Sequence, residues 1–371
     1  MKLKKTLSIL AVAASLTISA CSKSGSSATD NNHQDTTHTN NFPKPKSLQE
    51  MSDLLSAAIK SLTPTIYMDI SVMNLTMDQI NVTAINAYQN VTNKDSSLKY
   101  AYTVVPTYNQ LAKVLQYDIK YMPFKLGIDP NKVPAGTKKV NSYNDLITAV
   151  TSSPLGQEIP IAITNKNLDV TVMQLVLGAQ TGYGFIVYNF NADATSIIPA
   201  TSPKGLPNST IDMNDCMARI NRCKDSVTQI LARIITPSMT NDQKFTAIYN
   251  YVAPTSYDYN FNTPSLDFNS QTAFGVFVNR KAVCGGYSWA VNMLANGAGI
   301  QCYNVSGYGS NVAHAWNRAN YNGGYYYFDA TWDNSFTAPR TYQYFSLTEA
   351  ALLQKNHTWN NAMVNALVAE K

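Results

Sequence analysis

Cys284, His314 and Asp329 are the three residues of this 371-residue chain whose types and spacing could together perform nucleophilic chemistry. Cys284 stands in Lys281-Ala282-Val283-Cys284-Gly285-Gly286-Tyr287-Ser288-Trp289-Ala290. Downstream, Trp289, Met293 and Leu294 recur at helical spacing, and Gly297 with Gly299 ends the run. Cys284 is therefore expected in the first turn of a helix, where unpaired backbone N–H groups and the helix dipole favour a thiolate. A small buried hydrophobe is an equally ordinary use of cysteine, so position alone does not decide. The partner does. Of the four histidines, His33 and His38 lie near the N-terminus in a polar tail, so only His314 and His357 are available as a base.

Stepping from the nucleophile to its base, Val312-Ala313-His314-Ala315-Trp316-Asn317 alternates like a strand, and Asn322-Gly323 signals a hairpin. The return strand, 325–330, carries Asp329. A two-residue loop at 322–323 pairs position 314 with 331 and leaves 329 as its diagonal neighbour on the same face. A four-residue loop at 320–323 pairs 314 with 329 directly. Either even loop puts the two side chains on one face, about 5–8 Å apart by Cβ. An aspartate there, expected at an exposed edge, can hold the imidazole tautomer and stabilise the imidazolium.

The stretch 243–360 resembles the transglutaminase-like superfamily, in its bacterial branch with a papain-type core. The residues that carry the resemblance are Tyr257-Asp258, Ser270-Gln271-Thr272-Ala273, Ala282-Val283-Cys284-Gly285-Gly286-Tyr287 and Gly299-Ile300. His314-Ala315-Trp316-Asn317, Tyr327-Phe328-Asp329-Ala330-Thr331-Trp332-Asp333, Tyr344-Phe345 and His357-Thr358-Trp359 complete it. The resemblance implies Cys284 as nucleophile, His314 as base and then acid, and Asp329 as orienter. Gly285 is a departure, since many relatives carry a larger, often acidic residue there.

Around this triad the remaining assignments are lighter. Gln271 is a candidate oxyanion donor, as a glutamine ahead of the cysteine is in papain-like enzymes, beside the backbone N–H of Cys284. Tyr287, Trp316 and Trp332 either wall the cleft or pack the core. Asp333 caps or supports the triad, His357 reads as structural, and Cys302 reads as a core strand residue. With no CxxC pair, HExxH or glycine-rich phosphate loop in the sequence, no metal or other cofactor is implied.

The N-terminus reads as an export signal. Lys2, Lys4 and Lys5 precede an apolar run over 7–18, followed by Ser19-Ala20-Cys21. The run is too short for a stable membrane span, and Ile18-Ser19-Ala20-Cys21 resembles the bacterial lipobox, which implies a lipidated Cys21 after removal of residues 1–20. Residues 21–42, with no apolar periodicity, read as a flexible tether. Without the three leader lysines the chain has 25 basic against 23 acidic groups and no like-charge block, which gives no case for nucleic-acid binding. Cys216 and Cys223 fall on a helical stretch at 213–235. Seven residues of helix set their Cα atoms roughly 10 Å apart, beyond the limit of about 7 Å for a disulfide; a bridge from Cys302 to either stays open.

Residues 43–200 carry a degenerate helix–strand–helix–strand repeat with an offset of about 95 residues. Its copies open at Ser47 and Ser142, and residues 126–139, rich in Gly and Pro, join them. Pro203, Gly205 and Pro207 mark a boundary, so the expected domains are 43–205 with the two repeats and 206–371 with the triad. In the second, Thr240-Asn241-Asp242-Gln243 has capping-box spacing and opens a helix that Pro254 closes.

The fold class expected is α+β, with a helix-borne cysteine packed on an antiparallel sheet. The expected function is thiol-dependent acyl transfer on peptide or amide substrates outside the cytoplasm, as peptidase, amidase or transglutaminase. The expected partners are a protein or peptide, cell-wall peptide among them, and the membrane through a lipid anchor on the cell envelope. The alternative is a non-catalytic surface module that binds cell-wall or protein ligands through the repeats.

Overall fold

The computed structural model describes residues 41–191, 193–202, 211–259, 268–321, 323–334 and 342–369. Cys21, His33, His38, Asn322 and most of the 201–208 boundary segment lie outside the described residues. The fold is α+β, and the chain divides into two compact units, 1–129 and 130–371. The division falls within the 126–139 segment and does not coincide with the boundary expected at 205/206.

The described part of the first unit runs α1 (Leu48–Lys60), β1 (Thr65–Asp69), α2 (Met77–Lys94), β2 (Ala101–Asn109) and β3 (Val114–Tyr121). Its sheet has the order β1-β3-β2 and is antiparallel throughout. Ser47 caps α1 by accepting the Glu50 N–H, while Met51, Leu55, Ala58 and Ile59 turn one face into the core. A capping box, Thr76 with Gln79, starts α2.

The second unit begins β4 (Lys138–Val140), α3 (Tyr143–Thr151), β5 (Ile159–Ile163), α4 (Val170–Gln180), β6 (Ile186–Phe190) and β7 (Ser196–Thr201). From α3 to β7 the order helix, strand, helix, strand, strand is that of α1 to β3. The strand orders match as well, β1-β3-β2 and β5-β7-β6, with β4 added beside β5. Ser142 caps α3 through the Asp145 N–H, as Ser47 caps α1, and the carboxylates of Glu50 and Asp145 each reach back to the N–H four residues earlier. The third strand of each set, β3 or β7, has no counterpart in the sequence reading. The second set is part of the larger unit because α4 packs against β10 and α9, defined below, and α3 against α9.

The unit continues through α5 (Met213–Ile234), α6 (Asn241–Val252), β8 (Ser256–Tyr257), β9 (Lys281–Ala282), α7 (Cys284–Gly297), β10 (Cys302–Gly309), β11 (Val312–Tyr321), β12 (Gly324–Phe328), α8 (Glu349–Gln354), β13 (His357–Trp359) and α9 (Ala362–Ala369). Its main sheet, β12-β11-β10-β13, is antiparallel, and α7 packs on β10 and β11. That helix is buried almost throughout, with α5 and α6 against it. The capping box of Thr240 and Gln243 opens α6 as its spacing requires. Among the described residues, no helix is long and apolar enough to cross a membrane.

Candidate active site

The cysteine is delivered by a strand that turns directly into a helix. β9 pairs in parallel with β8, Val283 is extended and donates its N–H to the Ser270 carbonyl at 2.9 Å, and Cys284 is the first residue of α7. No side chain caps this helix, so its first N–H groups remain as donors beside the thiol. Two glycines let the helix start come this close to the 269–272 segment. A Cβ on Gly286 would meet the Ser270 carbonyl oxygen at 2.5 Å, and one on Gly285 would meet that of Gln271 at 2.9 Å. Cys284 is half-buried and not disulfide-bonded.

The base comes from β11. Tyr321 pairs with Gly324 and Asn317 with Phe328, which is the register of the two-residue connection. Continued past the end of β12, that register sets 329 opposite 316, diagonal to 314 and on its face. His314 Nε2 and Asp329 Oδ2 are 2.7 Å apart. This leaves Nδ1 as the ring nitrogen free of Asp329, with the Cys284 side chain near enough to act on the imidazole electrostatically. Burial works against protonation of His314, but the hydrogen bond from the ring to Asp329, with the charges of Asp329 and Cys284, outweighs it and raises its pKa from 6.5 to about 9. An imidazolium at neutral pH follows.

Asp329 is fully buried. This corrects the expectation of an exposed edge: the chain turns back over the carboxylate at 331–333 and returns at Tyr344, whose carbonyl accepts the Asp329 N–H at 3.0 Å. Oδ1 accepts the backbone N–H groups of Thr331 and Trp332, at 3.0 and 3.1 Å. Oδ2 takes His314 Nε2 and a second histidine, His357 Nε2, at 3.1 Å. Burial alone would raise this carboxyl; the two imidazoles and the backbone donors more than compensate and hold it below its ordinary value.

His357 is thus in direct contact with the Cys284–His314–Asp329 cluster, although its spacing in the sequence suggests only packing. It starts β13, which pairs with the edge of β10, and Trp316, Trp332 and Tyr344 surround the ring at centroid distances of 4.9, 4.5 and 5.7 Å. The signal available in the sequence was scarcity: outside the tail there are two histidines, and both reach the same carboxylate oxygen.

The other expected residues separate into those that pack the core and those that border the triad. Tyr287 is buried, donates its hydroxyl to the Thr255 carbonyl and accepts from Asn334, so it packs. Trp316 is likewise core. Trp332 is half-buried and lies over His314, ring centroids 5.2 Å apart and planes 28° from parallel. Gln271 places its backbone against the first turn of α7. Asp333 supports the triad from behind: its N–H donates to the Asp329 carbonyl at 3.2 Å, while its carboxylate accepts the Tyr249 hydroxyl and the N–H groups of Gln343 and Tyr344 and so anchors the segment whose carbonyl holds Asp329. Cys302 is a buried strand residue, and Cys216, Cys223 and Cys302 are free thiols. His314, Asp329 and His357 offer three ligand-type atoms within 4.8 Å of one another. Those atoms already satisfy each other at hydrogen-bond distance, and a metal ion would have to break both contacts.

Against known proteins, residues 228–330 match the model of the Transglutaminase-like superfamily. This starts earlier than the resemblance in the sequence and ends before Tyr344 and His357. A search of the curated proteins gave no match. A solved structure named a TGase is 16% identical, covers 57% of this chain and 63% of its own, and has a TM-score of 0.28. A Cytophaga hutchinsonii structure provisionally named a cysteine protease is 15% identical over 39% of this chain and 61% of its own, with a TM-score of 0.24. The periplasmic domain of TgpA from Pseudomonas aeruginosa, bound to ethylmercury, is 19% identical over 37% of this chain and 55% of its own, with a TM-score of 0.23. The chain spans less than two thirds of the length of each.

Proposed function

We propose that the transglutaminase-like segment makes this protein a thiol-dependent acyltransferase for peptide or amide carbonyls outside the cytoplasm. Cys284 is the nucleophile, His314 the acid and base, and Asp329 its orienting carboxylate. The observation that supports this best is the imidazole of His314, held by Asp329 through Nε2 at 2.7 Å, in a site where Cys284 opens a helix without a side-chain cap.

The thiolate Sγ attacks the carbonyl carbon, and the C=O electron pair moves onto oxygen. The Cys284 N–H, at the open start of α7, and the Gln271 carboxamide are the donors proposed for that oxyanion. As the C–N bond breaks, His314 Nδ1 gives its proton to the departing amine and a thioester remains on Cys284. His314, now neutral, takes a proton from the acceptor as it attacks the thioester. The acceptor's identity decides the product: water gives a carboxylic acid, and a primary amine gives a new amide. Thiolate and imidazolium are restored together. The buried, four-fold bonded Asp329 keeps the ring's orientation through the cycle.

The lipobox-like Ile18-Ser19-Ala20-Cys21 supports a lipid-anchored form on the cell envelope. The catalytic segment, 206–371, would then act there on protein or cell-wall peptide, with the second repeat of 43–205 packed against it through α3 and α4.

The test is capture of the acyl-enzyme. Full-length protein is mixed with an activated amide or ester, quenched in acid and digested. The acyl mass should sit on the Cys284 peptide and vanish in Cys284→Ala, and adding a labelled primary amine separates hydrolysis from transamidation. A chain that never acquires the acyl group would leave the surface-binding module as the better reading.

A further inference from the structure

We propose that His357 is a positioning residue of this site, a second and doubly protonated imidazole that shares Asp329 Oδ2 with His314. The proposal rests on the catalytic reading above for its consequence, and on hydrogen-bond accounting for its substance.

The ring of His357 is completely buried. Its Nδ1 lies 3.0 Å from the Lys355 carbonyl oxygen, and its Nε2 lies 3.1 Å from Asp329 Oδ2. A carbonyl oxygen and a carboxylate oxygen can only accept, so the ring makes both bonds only with a proton on each nitrogen. With one proton, either Nε2 would turn a lone pair on the carboxylate or Nδ1 would turn one on the carbonyl. Buried acceptor pairs of that kind are costly, and the ring has little room to turn away between Trp316, Trp332 and Tyr344.

Charge accounting points the same way. Asp329 carries one negative charge, with donors on both oxygens. An imidazolium at His357 balances that charge within the buried His357–Asp329 pair. The ionisable groups that face the ring are Asp329, His314 and Tyr344. Paired with β13, β10 offers Gly307, Tyr308 and Gly309. The Lys355 ammonium lies over Tyr344, and Glu349 of α8 is engaged by Tyr327 and Asn361.

The consequence concerns His314. A carboxylate shared between two imidazoliums attracts each proton less than one serving a single imidazole. His357 therefore tempers the basicity that Asp329 imposes on His314, which eases release of the Nδ1 proton to the leaving amine.

Two measurements on the full-length protein decide the matter. The first is the 15N spectrum of the histidine rings at pH 7, assigned by comparison with His357→Gln. Both His357 nitrogens should resonate as protonated; one bare-nitrogen signal overturns the proposal, whatever the protein catalyses. The second compares alkylation of Cys284 by iodoacetate and iodoacetamide across pH. The anionic reagent is favoured while His314 is charged, so the rate ratio falls where His314 loses its proton. In His357→Gln that midpoint should move upward by about half a pH unit or more. An unmoved midpoint would mean that His357 only packs. Absence of any charge-dependent ratio in the wild type would instead sink the catalytic reading, and the ring spectrum still judges His357 on its own.

Discussion

The carbonyl oxygen of Gln271 lies 2.9 Å from the point where a Cβ on Gly285 would stand. Backbone, not a flexible side chain, occupies that space, so any larger residue must displace the start of α7 or the 270–272 segment. The two segments close on each other here. Gly285→Ala should therefore destabilise the fold by about 1–3 kcal/mol. It should also slow Cys284 acylation, because both proposed oxyanion donors sit on the segments that would part. Urea unfolding and acylation rate, measured on the same variant, check this; an unchanged midpoint with an unchanged rate would contradict the close approach.

His314 sets an alkaline limit. Its folded pKa, about 9, is above its ordinary 6.5 despite the opposing effect of burial. The stabilisation it brings is therefore complete below about pH 6.5 and is lost as pH rises through about 9, amounting to roughly 3 kcal/mol at most. Acyl transfer to amides should fall over the same window, since the leaving amine needs the imidazolium proton. Denaturation at pH 7 and pH 9.5, together with the rate profile, should show both losses. Stability that rose across this interval would contradict the assignment.

Asp329 has the opposite sign. Burial favours the neutral acid, but its donors hold the folded pKa below the ordinary carboxylate value, so its contribution is present at neutral pH and lost on acidification. Removing it strips partners from His314, His357 and two backbone N–H groups. Asp329→Ala should cost about 3–5 kcal/mol and abolish acylation. A variant that kept full stability would show that the carboxylate only orients, as an exposed position would have allowed.

The thiols should differ sharply in reactivity. Burial pushes Cys216 up to about 11 and Cys223 up to about 12, and it raises Cys302 further, whereas Cys284 is half-buried at a helix start beside His314. Brief iodoacetamide treatment of folded protein at pH 7, followed by peptide mass analysis, should label Cys284 and leave the other three until urea is added. Equal labelling of Cys223 or Cys302 in the folded state would count against the described packing.

Local chemistry was enough to read much of this protein from its residues. The Thr240–Gln243 capping box, the helix that begins at Cys284 and the parity that aligns His314 with Asp329 each depend on a few neighbouring backbone groups. The recurring Ser47 and Ser142 caps are equally local. Tertiary structure decided what depends on distant segments meeting. It joined α3 to β7 with the unit that carries Cys284, because α4 found partners in β10 and α9. It buried Asp329 by folding 331–333 and Tyr344 over it, and it separated Trp332, stacked on His314, from Trp316 in the core. Most of all, it brought His357 to Asp329. No periodicity encodes that contact: β13 reaches the edge of β10 only after the chain has left the hairpin and passed through α8, and the carboxylate oxygen where the two histidines meet exists only once the sheet is assembled.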